Sequence, residues 1–493
     1  MTSLSPMNKM LTIFAVGAVL ICPPLAAQDA RGVIDAAARA MGTPTVQAVE
    51  YSASSGNTYS VGQAPGPGKP WPRFTVTKYT ALINYNVPVM REQTVRIDDE
   101  KPPRGGGAGP YVPETQQGGI RPIPFGPQTA NAVRDGRTEN GALQIWLTPH
   151  GFLKGAAANN ATLGAAAPRG KRLISFRAFD RYTITGTIND QNLVERVQTT
   201  VANALYGDMV LEAEYSDYRD AGGVKLPMRI VQRQGGFPTL ELTLTSAQPN
   251  TAAAMAAVAP ERPAAPPAPA PARATGKELA PGFWALEGSI PMNFLVEFRD
   301  FVVIIEAVGS EERTEAVLAE VKRLVPSKPI RYVINTHQHS DHSGGLRAVV
   351  AEGLPILTHQ VNKAFYEKML RNPATIAPDK LARSPKAPMI EGMGDKKVIT
   401  DGTKTIEVHH VKGNLHSEGL LMVYLPKEKL LLQADAYAPR PAGAKPLPPS
   451  PFTTNLYENV QRLKLSVDQM VHVHGGMDPF SKLVEAANLR GTN

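Results

Sequence analysis

The chain contains one cysteine, Cys22, among its 493 residues. That residue lies within a segment, 1–28, that has the layout of a secretory signal peptide: Lys9 precedes an apolar run, and small residues stand near the expected cleavage point. We therefore expect a mature chain without thiols that is periplasmic or secreted. Such a chain cannot form disulfides, use a cysteine nucleophile or hold zinc through cysteine.

Long apolar runs and blocks of positive charge are also missing. Beyond the signal peptide no apolar run approaches the ~20 residues that a membrane-spanning helix needs, so we expect no transmembrane segment after signal removal. The formal net charge is +8, but the basic residues are spread along the chain, which argues against a nucleic-acid partner. A small-molecule substrate is the expected partner.

Alanine and proline dominate residues 251–275, and this composition divides the chain. Because such a stretch buries little apolar surface, it is predicted to be a linker. Residues 29–250 contain short alternating runs, such as Leu240-Glu-Leu-Thr-Leu-Thr, which indicate strands with one solvated face. The sequence therefore predicts an α+β chain of two domains, a curved antiparallel β-rich domain followed by a second domain at 276–493.

The strands predicted between Tyr182 and Ser246 resemble the half-barrel of periplasmic lipoprotein carriers. The resemblance covers only part of the first domain and includes no catalytic motif. The resemblance implies that the first domain contacts a lipid. This contact would be separate from the binding of the small-molecule substrate.

The most informative part of the second domain is the run His337-Gln338-His339-Ser340-Asp341-His342, which places four potential metal ligands within six residues. It follows the apolar stretch Tyr332-Val333-Ile334, which is typical of a buried strand. Ligands bind beyond the carboxyl ends of strands in α/β sheets, and imidazole with carboxylate is a ligand set that suits Zn²⁺. The run therefore predicts a metal site at the end of a strand.

This run matches the H-x-H-x-D-H signature of the metallo-β-lactamase superfamily, and the resemblance extends over about residues 278–480. It implies an αββα sandwich with two metals. The first metal would be bound by His337, His339 and His416, the second by Asp341, His342 and His474, with Asp435 between them. Ala434 stands where the family usually has a glycine before that aspartate, so a supporting role for Asp435 stays open.

The resemblance implies two Zn²⁺ ions per chain, with iron or manganese as alternatives. In that chemistry a metal-bound hydroxide attacks a carbonyl carbon of an ester, lactone, thioester or β-lactam, and Asp341 serves as ligand and proton carrier. Two other functions remain open. The same scaffold could hold one iron in an oxidoreductase, or the protein could be an envelope module that binds a lipid or peptide.

The remaining histidines are expected to be structural. This applies to His150, the only histidine before the linker, and to His359, His409, His410 and His472 after it. Substrate selection must come from loops around the metals. The hairpin at 287–292, a helical insertion at 362–393 and the proline-rich loop at 438–451 are the candidate walls.

Overall fold

The computed structural model describes residues 25–100, 102–106, 128–164, 170–261, 271–439 and 449–488. Most of the expected signal peptide lies outside these residues, and the first helix already begins at Leu25, before the expected boundary at 28. The signal peptide therefore stays a prediction. In the described parts of the chain, no helix is both long and apolar enough to cross a membrane.

The first domain is built mainly of antiparallel strands. Its helices are α1 Leu25–Met41, α2 Glu139–Leu147, α3 Pro149–Ala158 and the short α4 Ala252–Met255, with a 3₁₀ turn at Thr43–Thr45. Its strands are β1 Ala48–Ala53, β2 Gly56–Tyr59, β3 Arg73–Asn84, β4 Val89–Ile97, β5 Gln128–Asp135, β6 Thr162–Leu163, β7 Arg172–Ala178, β8 Tyr182–Ile188, β9 Val194–Asn203, β10 Gly207–Ser216, β11 Arg219–Ala221, β12 Val224–Leu226, β13 Arg229–Gln234, β14 Phe237–Thr243 and β15 Ser246–Pro249.

All of these strands except β11 and β12, which pair separately, join one antiparallel sheet. Buried and more exposed side chains alternate along its strands, so one face of the sheet forms the core. Along β10, the side chains of Met209, Leu211, Ala213 and Tyr215 are buried and those between them face outward. Helices α1 to α3 share that core with the sheet. The predicted β-rich first domain is thus confirmed.

The second domain combines two sheets and seven helices in the described residues. Its strands are β16 Thr275–Ala280, β17 Phe283–Glu287, β18 Asn293–Glu297, β19 Val302–Ile305, β20 Ile330–Ile334, β21 Ile356–His359, β22 Ile390–Met393, β23 Lys396–Thr400, β24 Thr405–His410, β25 Leu421–Leu425, β26 Leu430–Gln433, β27 Gln469–His472 and β28 Met477–Pro479. Its helices are α5 Glu311–Leu324, α6 Ser340–Ser343, α7 Leu346–Glu352, α8 Gln360–Met369, α9 Lys380–Arg383, α10 Pro451–Arg462 and α11 Phe480–Asn488.

Strands β16 to β22 form one sheet in chain order, and β23 to β28 form the other. Strand β19 has apolar residues on both faces: Val303 and Ile305 pack against the second sheet, whereas Val302 and Ile304 pack under helices α5 and α7. Helices α10 and α11 cover the second sheet. The layers are therefore helix, sheet, sheet and helix, which confirms the αββα sandwich.

Two features differ from the sequence expectation. The region 362–393, expected to be a helical insertion, ends in β22, which extends the first sheet parallel to β21. Residues 251–261, assigned to the linker by composition, contact the first domain: Asn84 Nδ2 donates to the carbonyls of Met255 and Ala257, and Ala254 is fully buried. Residues 262–270 lie outside the described residues.

The domains also contact each other through the turn between β9 and β10. The Asp208 carboxylate accepts hydrogen bonds from the backbone N–H groups of Thr375 and Ile376. Asn372 Nδ2 donates to the Tyr206 carbonyl at 2.9 Å, and the Tyr206 ring meets the Phe365 ring edge-on. The first domain therefore packs against the region between α8 and α9 as well as against the residues described below.

Candidate metal centre

The predicted ligands come from four loops at one edge of the two sheets. The run 337–342 follows β20, and the loop 413–419 precedes β25. Asp435 follows β26, and His474 follows β27, which is parallel to β26. Because the carboxyl ends of parallel strands meet at one edge, these side chains converge although more than a hundred residues separate them in sequence.

The first group of predicted ligands is His337, His339, His416 and Asp435, whose donor atoms all lie within 4.8 Å of one another. The Nε2 atoms of His337 and His416 are 3.3 Å apart. Asp435 Oδ2 lies 3.3 Å from His416 Nε2 and 4.0 Å from His337 Nε2. Three imidazoles and one carboxylate oxygen thus surround one point.

The second group is Asp341, His342, Asp435 and His474. The Nε2 atoms of His342 and His474 are 3.1 Å apart, and Asp435 Oδ1 lies 3.0 and 3.1 Å from them. Asp341 Oδ2 is 3.3 Å from His342 Nε2. Because Asp435 turns one oxygen to each group, its position suits a residue that bridges two ions.

The donor atoms are arranged in a way that suits metal binding better than hydrogen bonding among themselves. Among the described residues, the buried atoms His339 Nδ1 and Asp435 Oδ1 have no hydrogen-bond partner. An unpaired polar atom in a dry site is unfavourable unless a ligand completes it. Imidazole nitrogen and carboxylate oxygen, without sulfur, are donors for Zn²⁺ and for iron or manganese. The residues therefore fit the metals that the sequence predicted, and the identity of the metal stays a prediction.

Glu306 is a part of the site that the sequence analysis missed. It is buried, has a φ of 75°, and follows the apolar strand β19. Its Oε1 accepts a hydrogen bond from Thr336 Oγ1, whose oxygen lies 3.0 Å from His337 Nδ1, and it also lies 3.2 Å from His342 Nδ1. One carboxylate thus fixes a hydrogen on Nδ1 of two predicted ligands, so that Nε2 is the nitrogen that would bind the metals. A charged residue at the end of an apolar strand was the only available signal.

Burial sets the protonation states of the first group. It holds the pKa of His337 well below its usual value, with a further contribution from the neighbouring His342, and lowers the pKa of His339 to about 3. Both imidazoles are therefore neutral at physiological pH. Neutral imidazole is the form that binds metal.

In the second group, burial raises the pKa of Asp435, but the charges on His342 and His474 outweigh it and hold that pKa well below its usual value. For His342, burial lowers the pKa, yet the carboxylates of Asp435, Asp341 and Glu306 together raise it well above the usual range. Asp435 is therefore ionised, and a metal in this group would displace a proton from His342.

The ligands are not equally accessible. Side-chain exposure is 19% for Asp341 and 15% for His474, against 6% for Asp435 and none for His337. The Phe452 ring lies edge-on to His416, in the segment that follows the proline-rich loop. Residues 440–448 of that loop lie outside the described residues, so its role as a wall stays a prediction. The site opens on the side of the second group.

The remaining histidines of the second domain lie outside the two groups of predicted ligands. His472 Nδ1 is 2.8 Å from Gln433 Nε2, and His409 Nε2 is 2.8 Å from Glu407 Oε2. His359 and His410 stack on each other with ring centroids 3.9 Å apart. None of them belongs to the groups that could hold a metal among the described residues.

A buried cluster of histidines and aspartates at one edge of an αββα sandwich is an arrangement that could hold metal ions. Residues 289–473 match the sequence model of the metallo-beta-lactamase superfamily. The second domain is thus a metallo-β-lactamase superfamily domain, which confirms the resemblance found in the sequence.

Individual relatives match much less of the chain. An alkyl/aryl-sulfatase of Saccharomyces cerevisiae is 38% identical over 58 residues, and a linear primary-alkylsulfatase of a Pseudomonas species is 41% identical over 58 residues. Each match covers 12% of this chain and 9% of the relative, so the chain spans about a tenth of the length of these relatives. A metallo-beta-lactamase structure from Pontibacter korlensis is 20% identical, covers 45% of this chain and 100% of that chain, and has a TM-score of 0.34.

Proposed function

We propose that the protein is a dinuclear metal hydrolase, exported to the periplasm or beyond the cell, that cleaves an ester, lactone, thioester or β-lactam. One observation carries the proposal: two adjacent groups of metal-binding atoms share Asp435, which turns a different oxygen to each group. Two bound Zn²⁺ ions would lower the pKa of a shared water and polarise the substrate carbonyl.

The residues of the chain support this chemistry in distinct ways. His337, His339 and His416 would hold one ion, and Asp341, His342 and His474 the other. Asp341 Oδ2 faces the second group, and its side chain is the most exposed of the carboxylates at the site. It is therefore placed to pass a proton between the site and solvent, while the buried imidazoles exclude water from the other side.

Sulfate-ester hydrolysis is a second candidate. It is favoured by the two sulfatase relatives, although each match is limited to 58 residues. A sulfate ester presents an electrophilic sulfur or carbon to the same hydroxide, and its anionic oxygens would bind the metals, so the metal groups would serve either substrate class. The surrounding loops, and not the ligands, would decide between them.

The test is to purify the full chain, measure its metals by elemental analysis, and assay it on carboxylic esters, lactones, thioesters, cephalosporins and alkyl sulfates. We expect two zinc ions per chain and hydrolysis of one class. The variant His410→Asn, which lies outside both ligand groups, serves as the control. One iron per chain with oxygen consumption would contradict the proposal and favour the oxidoreductase, and a chain that binds no metal would exclude both.

A further inference from the structure

The first domain reaches the metal centre directly, through a segment that carried no signal in the sequence. This covering segment, residues 62–66, lies across two of the four loops of the second domain that bear the predicted ligands. Its carbonyls accept hydrogen bonds from them: Gly62 O from Ser340 N at 3.2 Å, and Pro65 O from Glu418 N at 2.9 Å. The covering segment therefore contacts the two loops that supply His337 to His342 and His416.

Within the covering segment, the carbonyl of Ala64 determines how His339 presents its ring. His339 Nε2 lies 2.8 Å from Ala64 O, which also accepts from Gln338 Nε2 at 2.7 Å. A carbonyl oxygen can only accept, so Nε2 must carry the hydrogen. The lone pair of the neutral ring is then on Nδ1, the buried atom that has no partner among the described residues. Ala64 thus selects the tautomer that can bind a metal through Nδ1.

Gln63 acts on the second ligand group. Its Nε2 donates to Asp341 Oδ1 at 2.9 Å, which leaves Asp341 Oδ2 to face His342 and His474. Gln63 is itself held, because Gly106 N donates to its carbonyl at 3.0 Å. A Cβ on Gly106 would lie 2.3 Å from Gln63 Oε1 and 2.8 Å from His339 Cε1, so only glycine fits there without a shift.

We propose that the first domain is a working part of the metal centre: Gln63 is a positioning residue for Asp341, and the Ala64 carbonyl is one for His339. The inference rests on the proposed function. Each contact is made to one polar atom of a predicted ligand, Oδ1 of Asp341 or Nε2 of His339. The other polar atom of the same side chain faces the metal-binding groups. Partners of this kind orient metal ligands, and their loss typically weakens metal binding by about 10- to 100-fold.

Titration of the metal-free full chain with Co²⁺, followed by its visible absorption, tests the role of Gln63. We expect Gln63→Leu to weaken the binding of one of the two ions by about 10- to 100-fold and to leave the other unchanged, because only Asp341 loses its donor. The matched control is Gln93→Leu, in the same domain, whose side chain bonds to Asn131 on a neighbouring strand.

The outcomes are distinguishable. If the parent chain binds fewer than two ions, the proposed function fails. If the parent binds two and Gln63→Leu binds both with parental affinity and an unchanged spectrum, the positioning role is wrong and the covering segment only joins the domains. Equal losses at both ions, with a lower melting temperature, would also overturn it, because they would report a structural defect.

Gly106→Ala provides a second variant that does not remove a polar group. Its methyl group would press on Gln63 and on His339, so we expect weakened binding of both ions together with a changed Co²⁺ spectrum. Gly394→Ala is the control, because a Cβ there meets nothing within 4 Å. Parental binding in Gly106→Ala would contradict the role assigned to the covering segment, even if Gln63→Leu failed to fold.

Discussion

The molecule buries histidines completely in both domains, and the partners of their ring nitrogens differ. In the first domain, His150 Nδ1 lies 2.9 Å from Thr43 Oγ1 and its Nε2 lies 3.1 Å from the Lys225 carbonyl. In the second, His339 has a partner only at Nε2. A buried imidazole with two partners is complete in itself, whereas one with an unpaired nitrogen can take a ligand where other donor atoms lie close to it. Among the described residues, His409 Nδ1 and His472 Nε2 are also without a hydrogen-bond partner, but neither residue belongs to a group that could hold a metal. An unpaired ring nitrogen that lies among other donor atoms therefore distinguishes the two roles.

The largest effect is expected from removing an imidazole of the first group. His337→Ala should lose one metal and reduce activity by more than the ~100-fold that loss of an orienting partner causes, because a direct ligand is gone. Elemental analysis and steady-state assays check this. Two metals per chain in His337→Ala would break the comparison, because His337 would then be no ligand.

Metal removal should destabilise the second domain. Ligand binding to the folded state alone adds about 2.7 kcal/mol at a free concentration of 100 Kd, so dialysis against a chelator should lower the melting temperature. Calorimetry of the metal-free and reloaded chain measures the change. A melting temperature that does not respond to added zinc would contradict a high-affinity site.

Glu306→Gln should have an intermediate effect. The substitution keeps the shape of the side chain but removes the charge that holds the Nδ1–H groups of His342 and, through Thr336, His337. We expect metal affinity to fall by about 10- to 100-fold with little change in stability. Competition with a chelating dye gives the affinity, and Glu407→Gln, at the partner of the structural His409, is the control.

The first domain should respond to pH through His150. Burial lowers the pKa of His150 to about 4, below the value near 6.5 of an unfolded chain. The unfolded state therefore binds more protons between these values, and stability should fall as the pH drops from 6.5 to 4, by up to about 1.4 kcal/mol per pH unit. Denaturant unfolding across this range should show a shallower slope in His150→Gln than in the parent. Some slope should remain, because burial also lowers the pKa of His359 and of His472 to about 4.

The same variant should leave the metal centre unchanged, which is the smallest expected effect. His150→Gln disrupts one buried and one partly buried hydrogen bond and should reduce the free energy of unfolding by about 1–3 kcal/mol. Because neither partner of His150 contacts a metal ligand, two metals per chain and parental activity are expected at 25 °C. A loss of metal in His150→Gln would break the comparison, because a histidine outside the groups that could hold a metal would then affect the metal centre.

The sequence predicted those parts of the structure that are encoded locally. Alternation and apolar runs located the strands, and the spacing at 337–342 predicted a site that the structure brings together with His416, Asp435 and His474. Glu306 had no pattern around it, because a single carboxylate after a strand is not distinctive.

Gln63 and Ala64 could not be predicted for a different reason. Their contacts join positions about 275 residues apart, in separate domains, and one of them is made by a backbone carbonyl that any residue possesses. Such contacts follow from how the domains dock, which composition and periodicity do not encode.

The docked ends of the linker have a consequence for assembly. Residues 251–261 are held on the first domain, and the carbonyl of Arg273 accepts a hydrogen bond from the buried Arg313 of the second. Only nine residues, 262–270, separate these two anchored ends in the chain. Each domain therefore meets the other at an effective concentration of roughly millimolar. A substitution that weakens the contacts of the covering segment would thus lower the fraction of molecules in which the first domain contacts the metal centre. It would not separate the two domains.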